Sequence, residues 1–346
     1  MAFLDEQGLK TKIKQEEYDN VYFIYGEESY LKTYYVQQLK KKIVDPTFAD
    51  FNCHVYENKN STMSDILRDA ETLPMMSRYT FVLVYDFPFD KKDDIEELKK
   101  YLKDVPDTSV LVFVFENIDP DPKKNSKWKS IINAVSKSGS VVCLEKRSES
   151  ELVKMLVSGA KKRKAVLQPD VARYLISVSG SDIETLLHET EKLSMYVNGG
   201  EITKDLVDKM ATKCLQARVY DLSRWILKGD CTGASEVLGT LFELGEDPIG
   251  VLAVIANCYV DMYRVKCAKI AGETHENVGK YYNYKGREFL LRNALRDSAK
   301  LSVSDLRKSL DVLTRTDNQL KSTAVDKRIL IEECVVKLSL IAGAGR

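Results

Sequence analysis

Eight residues, Gly26-Glu27-Glu28-Ser29-Tyr30-Leu31-Lys32-Thr33, follow the apolar run Val21-Tyr22-Phe23-Ile24-Tyr25 and spell a phosphate-binding loop in which only Leu31 is out of place. Such a loop, G-x-x-x-x-G-K-[ST], curls backbone N–H groups round phosphates at a helix start, while Lys and Ser/Thr hold the γ-phosphate and Mg²⁺. The second glycine lets the backbone approach the phosphates without a Cβ in the way, and Leu31 stands in its place. A leucine held in the left-handed conformation costs about 1–2 kcal/mol, and its isobutyl group fills space the phosphates need. Glu27 and Glu28 would face the same anion, and two unit charges 4 Å apart repel by about 4 kcal/mol at an effective dielectric of 20. Acidic side chains in a first helical turn are favoured by the helix dipole instead. A capped strand-to-helix turn with no bound nucleotide is therefore expected, with Lys32 and Thr33 as ordinary helix residues.

No other constellation supplies catalysis or a metal. The runs ending in Asp86 and Glu116 each close on a single acid, without the paired Asp-Glu of an ATPase that polarises water. His54, His188 and His275 are far apart, and Cys53-His54 has no partners at zinc-ligand spacing. The seven cysteines are scattered and include no C-x-x-C, as in a protein with reduced thiols. No cofactor, no metal and no catalytic residue is expected.

The elements that must position this turn follow from composition and periodicity. At 346 residues, with 44% hydrophobic and 30% charged side chains, the chain fits two or three globular domains. Acidic and basic residues balance at 52 each, so no global field draws it to nucleic acid or an anionic membrane. The opening segment lacks the apolar core of a secretory signal. Pro248 to Val260, the most apolar stretch, meets Asp261, Arg264 and Lys266 before it could cross about 30 Å of hydrocarbon. A cytoplasmic location with no membrane contact is expected.

Up to residue 147, short apolar runs alternate with amphipathic segments, the rhythm of parallel strands and crossover helices. Strands are expected at Tyr22–Tyr25, Cys53–Tyr56, Thr80–Tyr85, Ser109–Phe115 and Ser140–Leu144, with helices near 30–44, 63–72, 94–103 and 127–136. At Ser148 the pattern becomes helical. Ser148 and Glu151 have capping-box spacing, Pro169 and Gly180 bracket a second helix, and Ser181 and Gly199 a third. Later, Asp247, Pro248 and Gly272 delimit a long helix, and Ser302 opens one striped by Leu306, Leu310, Leu313 and Leu320. The expected fold is a parallel-sheet α/β domain (1–147) followed by two all-α domains: a small bundle (148–212) and a bundle of five or six helices (213–346).

An α/β domain with a disabled nucleotide loop, a small helical lid and a helical collar is the layout of an AAA+ module that has stopped hydrolysing ATP. The residues themselves resemble the delta subunit of the bacterial DNA polymerase III clamp loader. Similar elements run in order: VYFIYGEESYL from Val21, LPMMSRYTFVLVYD from Leu73, SVLVFVFENID from Ser109 and GSDIETLLHETEKLSMYVNGGEIT from Gly180. VYDLSRWILKGDCTGASEVLGTLFELGEDPIGVLAVIA from Val219 and LSVSDLRKSLDVLTRTDNQLKS from Leu301 complete the series.

The resemblance implies a subunit that neither binds nor hydrolyses ATP. It implies a place in a five-subunit ring with ATPase subunits and a delta-prime subunit, and an activity of opening the beta sliding clamp for loading on primed DNA. The polymerase chemistry belongs to the holoenzyme. The family's clamp-binding element, a Pro followed by bulky apolar residues and typically a Leu-Phe pair, falls on Leu73, Pro74, Met75 and Met76, with Met-Met replacing Leu-Phe. Pro74 should end the preceding helix, and methionine is flexible enough to fill a partner's pocket.

Two other readings fit parts of the chain: an active P-loop ATPase of AAA+ type, and a stand-alone single-stranded DNA-binding protein. The second would use Lys280, Tyr281, Tyr282, Tyr284, Lys285 and Arg287, a mixture able to stack bases and neutralise phosphates. A solvated link between helices accounts for that segment equally, as the end of a helix does for Lys161 to Lys164.

Overall fold

The computed structural model describes residues 3–57 and 61–344, which form two compact units, Met1–Lys146 and Arg147–Arg346. Along the first run β1 (Phe3–Leu4), α1 (Glu6–Gln15), β2 (Val21–Tyr25), α2 (Ser29–Ile43), α3 (Ala49–Asn52) and β3 (Cys53–Glu57). They are followed by α4 (Met63–Glu71), β4 (Thr80–Tyr85), α5 (Lys92–Tyr101), β5 (Ser109–Val114), α6 (Ser126–Ser138) and β6 (Ser140–Cys143). All five expected strands are present. Strand β1 and helix α1 leave no clear sequence signal, because two strand residues carry no period and α1 buries only Leu9 and Ile13.

The six strands form one parallel sheet in the order β1-β6-β2-β5-β4-β3. The central strands are buried on both faces, which is why they read as continuous apolar runs. Phe23, Val82, Val84, Leu111 and Phe113 face the layer of α4, α5 and α6, with Ile66, Leu98, Trp128 and Ile132 from those helices. Phe23, Phe115 and Trp128 pack together there, Phe23 tilted against Phe115 at 4.6 Å and Phe115 edge-to-face with Trp128 at 5.4 Å between ring centroids. Tyr22, Ile24, Phe81, Leu83 and Val112 are buried on the opposite face. Strand β2 has β5 on one side and β6 on the other, so its carboxyl end is the topological switch point where α/β sheets bind ligands.

The second unit contains α7 (Glu149–Lys162), β7 (Val166–Leu167), α8 (Pro169–Ser179), α9 (Ile183–Val197), β8 (Glu201–Ile202) and α10 (Lys204–Met210). Then come α11 (Leu215–Leu227), α12 (Cys231–Glu243), α13 (Pro248–Ile270), α14 (Phe289–Asp297), α15 (Val303–Ser322) and α16 (Lys327–Ala344). Ser148 and Glu151 form the capping box that opens α7. The unit is mostly helical rather than all-α, since β7 and β8 pair in parallel through Val166 with Glu201 and Leu167 with Ile202.

Two helix boundaries and one buried face are corrected. Helix α9 is capped by Asp182, not Ser181, because the aspartate carboxylate reaches the Thr185 N–H at 2.8 Å. It ends on left-handed Asn198, one residue before Gly199. On α15, Leu310 is only half-buried; the inner face is Leu306, Ser309, Leu313, Thr316 and Leu320, as a 3.6-residue period requires. The two hydroxyls bury by bonding back to their own helix, Ser309 to the Asp305 carbonyl and Thr316 to that of Val312. The apolar α13 packs against α11, α14, α15 and α16. Among the described residues no helix is long and apolar enough to cross a membrane.

Candidate functional site

The turn at the switch point is three residues long, Gly26 to Glu28, because α2 already starts at Ser29. Gly26 has φ +122°, and a Cβ there would lie 2.3 Å from the Leu144 carbonyl oxygen. That carbonyl, just past β6, accepts the Glu28 N–H at 2.9 Å. The close approach that demands glycine is thus to a neighbouring strand of the protein.

Two expectations about this turn are corrected. Leu31 lies within α2 and buries its side chain, so the left-handed strain expected at that position does not arise. Glu27 and Glu28 precede the first helical turn, which holds no acidic residue. Glu28 occupies the N-cap without a side-chain cap, and Glu27 is exposed.

Lys32 is 2% exposed, and its Nζ donates to the Phe115 carbonyl at 2.7 Å, just past β5. Burial pushes its ammonium below the ordinary lysine range, and the carboxylates of Glu116, Asp86, Asp119 and Glu28 only partly offset this. Thr33 is exposed, its hydroxyl bonded to the Ser29 carbonyl of the same helix. The two side chains therefore have separate partners, Lys32 at the end of β5 and Thr33 within α2.

Asp86, buried and left-handed at φ 48°, follows β4. Its carboxylate accepts the backbone N–H groups of Glu116, Asn117 and Ile118 at 2.8, 2.9 and 3.2 Å, and the Asn117 side-chain amide at 2.7 Å. Burial alone would raise this carboxyl, but the bonds from Asn117, Ile118 and Glu116 outweigh it and hold it below the usual aspartate range. Asp86 is thus committed to ordering the chain after β5.

The connector between α4 and β4 has the opposite character. Leu73 is 79%, Met75 49% and Met76 78% exposed, so that large apolar side chains face solvent side by side on one short connector. At its base, the Thr80 hydroxyl donates to the Thr72 carbonyl at 2.8 Å. Near its tip Met76 is left-handed at φ 51°. Asn52, the last residue of α3 and 2% exposed, reaches into it from beneath. Its Oδ1 accepts the Met75 N–H at 2.7 Å, while Nδ2 donates to the Met75 carbonyl at 2.8 Å and the Ser77 hydroxyl at 2.9 Å. Nothing in sequence marks Asn52, because the contact spans 23 residues and belongs to no periodic pattern.

The tyrosine-rich segment is divided. Tyr284 is buried, donates to the Asp261 carboxylate and accepts from Arg264 at 3.0 Å. Tyr282 has the Arg264 guanidinium 3.6 Å from its ring centre and is exposed, as are Tyr281, Lys280 and Lys285. Arg287 is half-buried and donates to the Asn283 carbonyl.

Comparison with known proteins bears on both halves. Residues 22–142 match the family model for the DNA polymerase III delta subunit, and residues 216–338 match that for its C-terminal domain. The DNA polymerase III subunit delta of Bacillus subtilis (strain 168) is 24% identical over 331 residues, covering 94% of each chain. A probable DNA polymerase III subunit delta of Aquifex aeolicus (strain VF5) is 23% identical over 321 residues, covering 86% of this chain and 87% of its own. The solved structure of the Bacillus subtilis DNA clamp loader delta protein (YqeN) superposes with a TM-score of 0.63 at 23% identity, covering 96% of this chain and 98% of that one. The chain belongs to the DNA polymerase III delta-subunit family, the clamp-loader component of the replication machinery.

Proposed function

We propose that this chain binds the ring-shaped beta sliding clamp through Leu73, Pro74, Met75 and Met76 and opens it for loading on primed DNA, without hydrolysing ATP itself. The observation that carries this reading is the exposed Leu73, Met75 and Met76 on a connector hydrogen-bonded from below. Each such side chain buried in a partner's pocket contributes roughly 1.5–3 kcal/mol, so two can anchor an interface. Replacing Met75 and Met76 together by alanine should weaken co-elution with the clamp by about a hundredfold in affinity. Unchanged binding would remove these residues from the interface.

The turn after β2 supports the non-catalytic part. A nucleotide would need the N–H groups, the lysine and the hydroxyl converging on one space. Here α2 starts early, Lys32 is bonded to Phe115 and the Thr33 hydroxyl to the Ser29 carbonyl. Calorimetry with Mg-ATP should show no binding; saturable binding lost on Lys32→Ala would favour the ATPase reading instead. The remaining partners in this reading are ATPase subunits and a delta-prime subunit in a five-membered ring in the cytoplasm. Residues 1–147 serve as the clamp-binding domain, 148–212 as the lid and 213–346 as the collar. In the DNA-binding reading, Lys280, Tyr281, Tyr282 and Lys285 are the exposed residues of the tyrosine-rich segment that would meet the strand.

A further inference from the structure

We infer that Asn52 is a positioning residue for partner docking: its buried side-chain amide holds the Leu73–Met76 connector in its binding-competent shape before the partner arrives. The inference rests on the docking reading above and assigns a role to a residue that never touches the partner. An asparagine side chain carries one carbonyl and one amide, as a peptide group does. Asn52 uses both on Met75, accepting its N–H and donating to its carbonyl, and spends its second amide hydrogen on Ser77. The oxygen and nitrogen cannot be exchanged, since a flipped amide would set donor against donor and acceptor against acceptor.

Both sides of Met75 are thereby fixed, and the next residue, Met76, takes a left-handed conformation that methionine adopts only when its surroundings impose it. Asn52 is shielded from water, where hydrogen bonds are stronger than at a surface. Leu73, Met75 and Met76 expose apolar groups that would gain by folding inward, and the bonds from Asn52 and Thr80 oppose that collapse. The backbone is ordered on folding rather than on association, so less binding energy is lost to loop ordering.

The test is a double-mutant cycle on the full chain, with clamp affinity as the readout. Asn52→Asp keeps the size and one acceptor but removes both amide hydrogens, and Asn52→Ala removes all three bonds. Each should weaken clamp binding roughly tenfold while the chain remains folded by circular dichroism. In the Met75→Ala, Met76→Ala background the same changes should cost less than about twofold, because residues acting through one another are non-additive. Equal losses in both backgrounds, or no loss in the parent, overturn the positioning role. Undiminished binding by the double methionine variant overturns the docking reading, and the positioning role with it. Should both Asn52 variants fail to fold, hydrogen exchange on the parent chain decides: strong protection of the Met75 amide is expected, and exchange at an open-loop rate overturns the inference.

Discussion

At the scale of single residues, this unit has turned polar side chains that could have met a ligand toward its own backbone. Lys32 bonds to a carbonyl at the end of β5, and Asp86 to three successive N–H groups beyond it. Asp86→Asn should destabilise the protein by about 1–3 kcal/mol, since an amide nitrogen would face donors and the charge-assisted bonds would be lost. The left-handed backbone tolerates asparagine as well as aspartate, so the loss is assignable to the carboxylate. Because the folded-state pKa of Asp86 is depressed, its stabilisation is fully present above the unfolded value of about 3.9 and fades as pH falls below it. Urea midpoints should therefore differ most between variant and parent at neutral pH and converge as pH falls through the depressed folded-state value.

At the scale of elements, the turn after β2 differs from the phosphate-loop motif at Leu31 and is followed by a helix that begins at Ser29. Ser29, Tyr30 and Leu31, three of the motif's loop positions, are therefore helical. Leu31→Gly should restore the motif's letters without restoring binding. It should cost about 2–5 kcal/mol for the lost buried side chain and about 1 kcal/mol more for glycine in a helix. Denaturation and Mg-ATP calorimetry on the same sample test both halves of this expectation. Much of this element level was legible in advance, because strand runs, capping residues and the prolines at helix starts are local signals. Strand β1, helix α1 and the β7–β8 ladder were not, because they are too short or too sparsely apolar to show a period.

At the scale of the whole molecule, the division at Lys146 and Arg147 separates a unit with its own two-faced sheet and aromatic core from a mostly helical one. The connector, Asn52 and the turn after β2 all lie in the first. Residues 1–146 expressed alone should unfold cooperatively and retain clamp affinity. A fragment that folds but fails to bind would place an essential part of the interface in the second unit.

The sequence by itself determined the five longer strands of the sheet, the change from α/β to helical architecture near Ser148, and the departure of Leu31 from the phosphate-loop motif. These are properties of residues close together in the chain, written in short-range periods and caps. Only the tertiary structure decided where Lys32 goes, what saturates Asp86 and what holds the Leu73–Met76 connector from below. The partners in those three cases lie 83, 30 to 32 and 23 to 25 residues away. A hydrogen bond over such separations leaves no period in the sequence, because the sheet order brings its ends together.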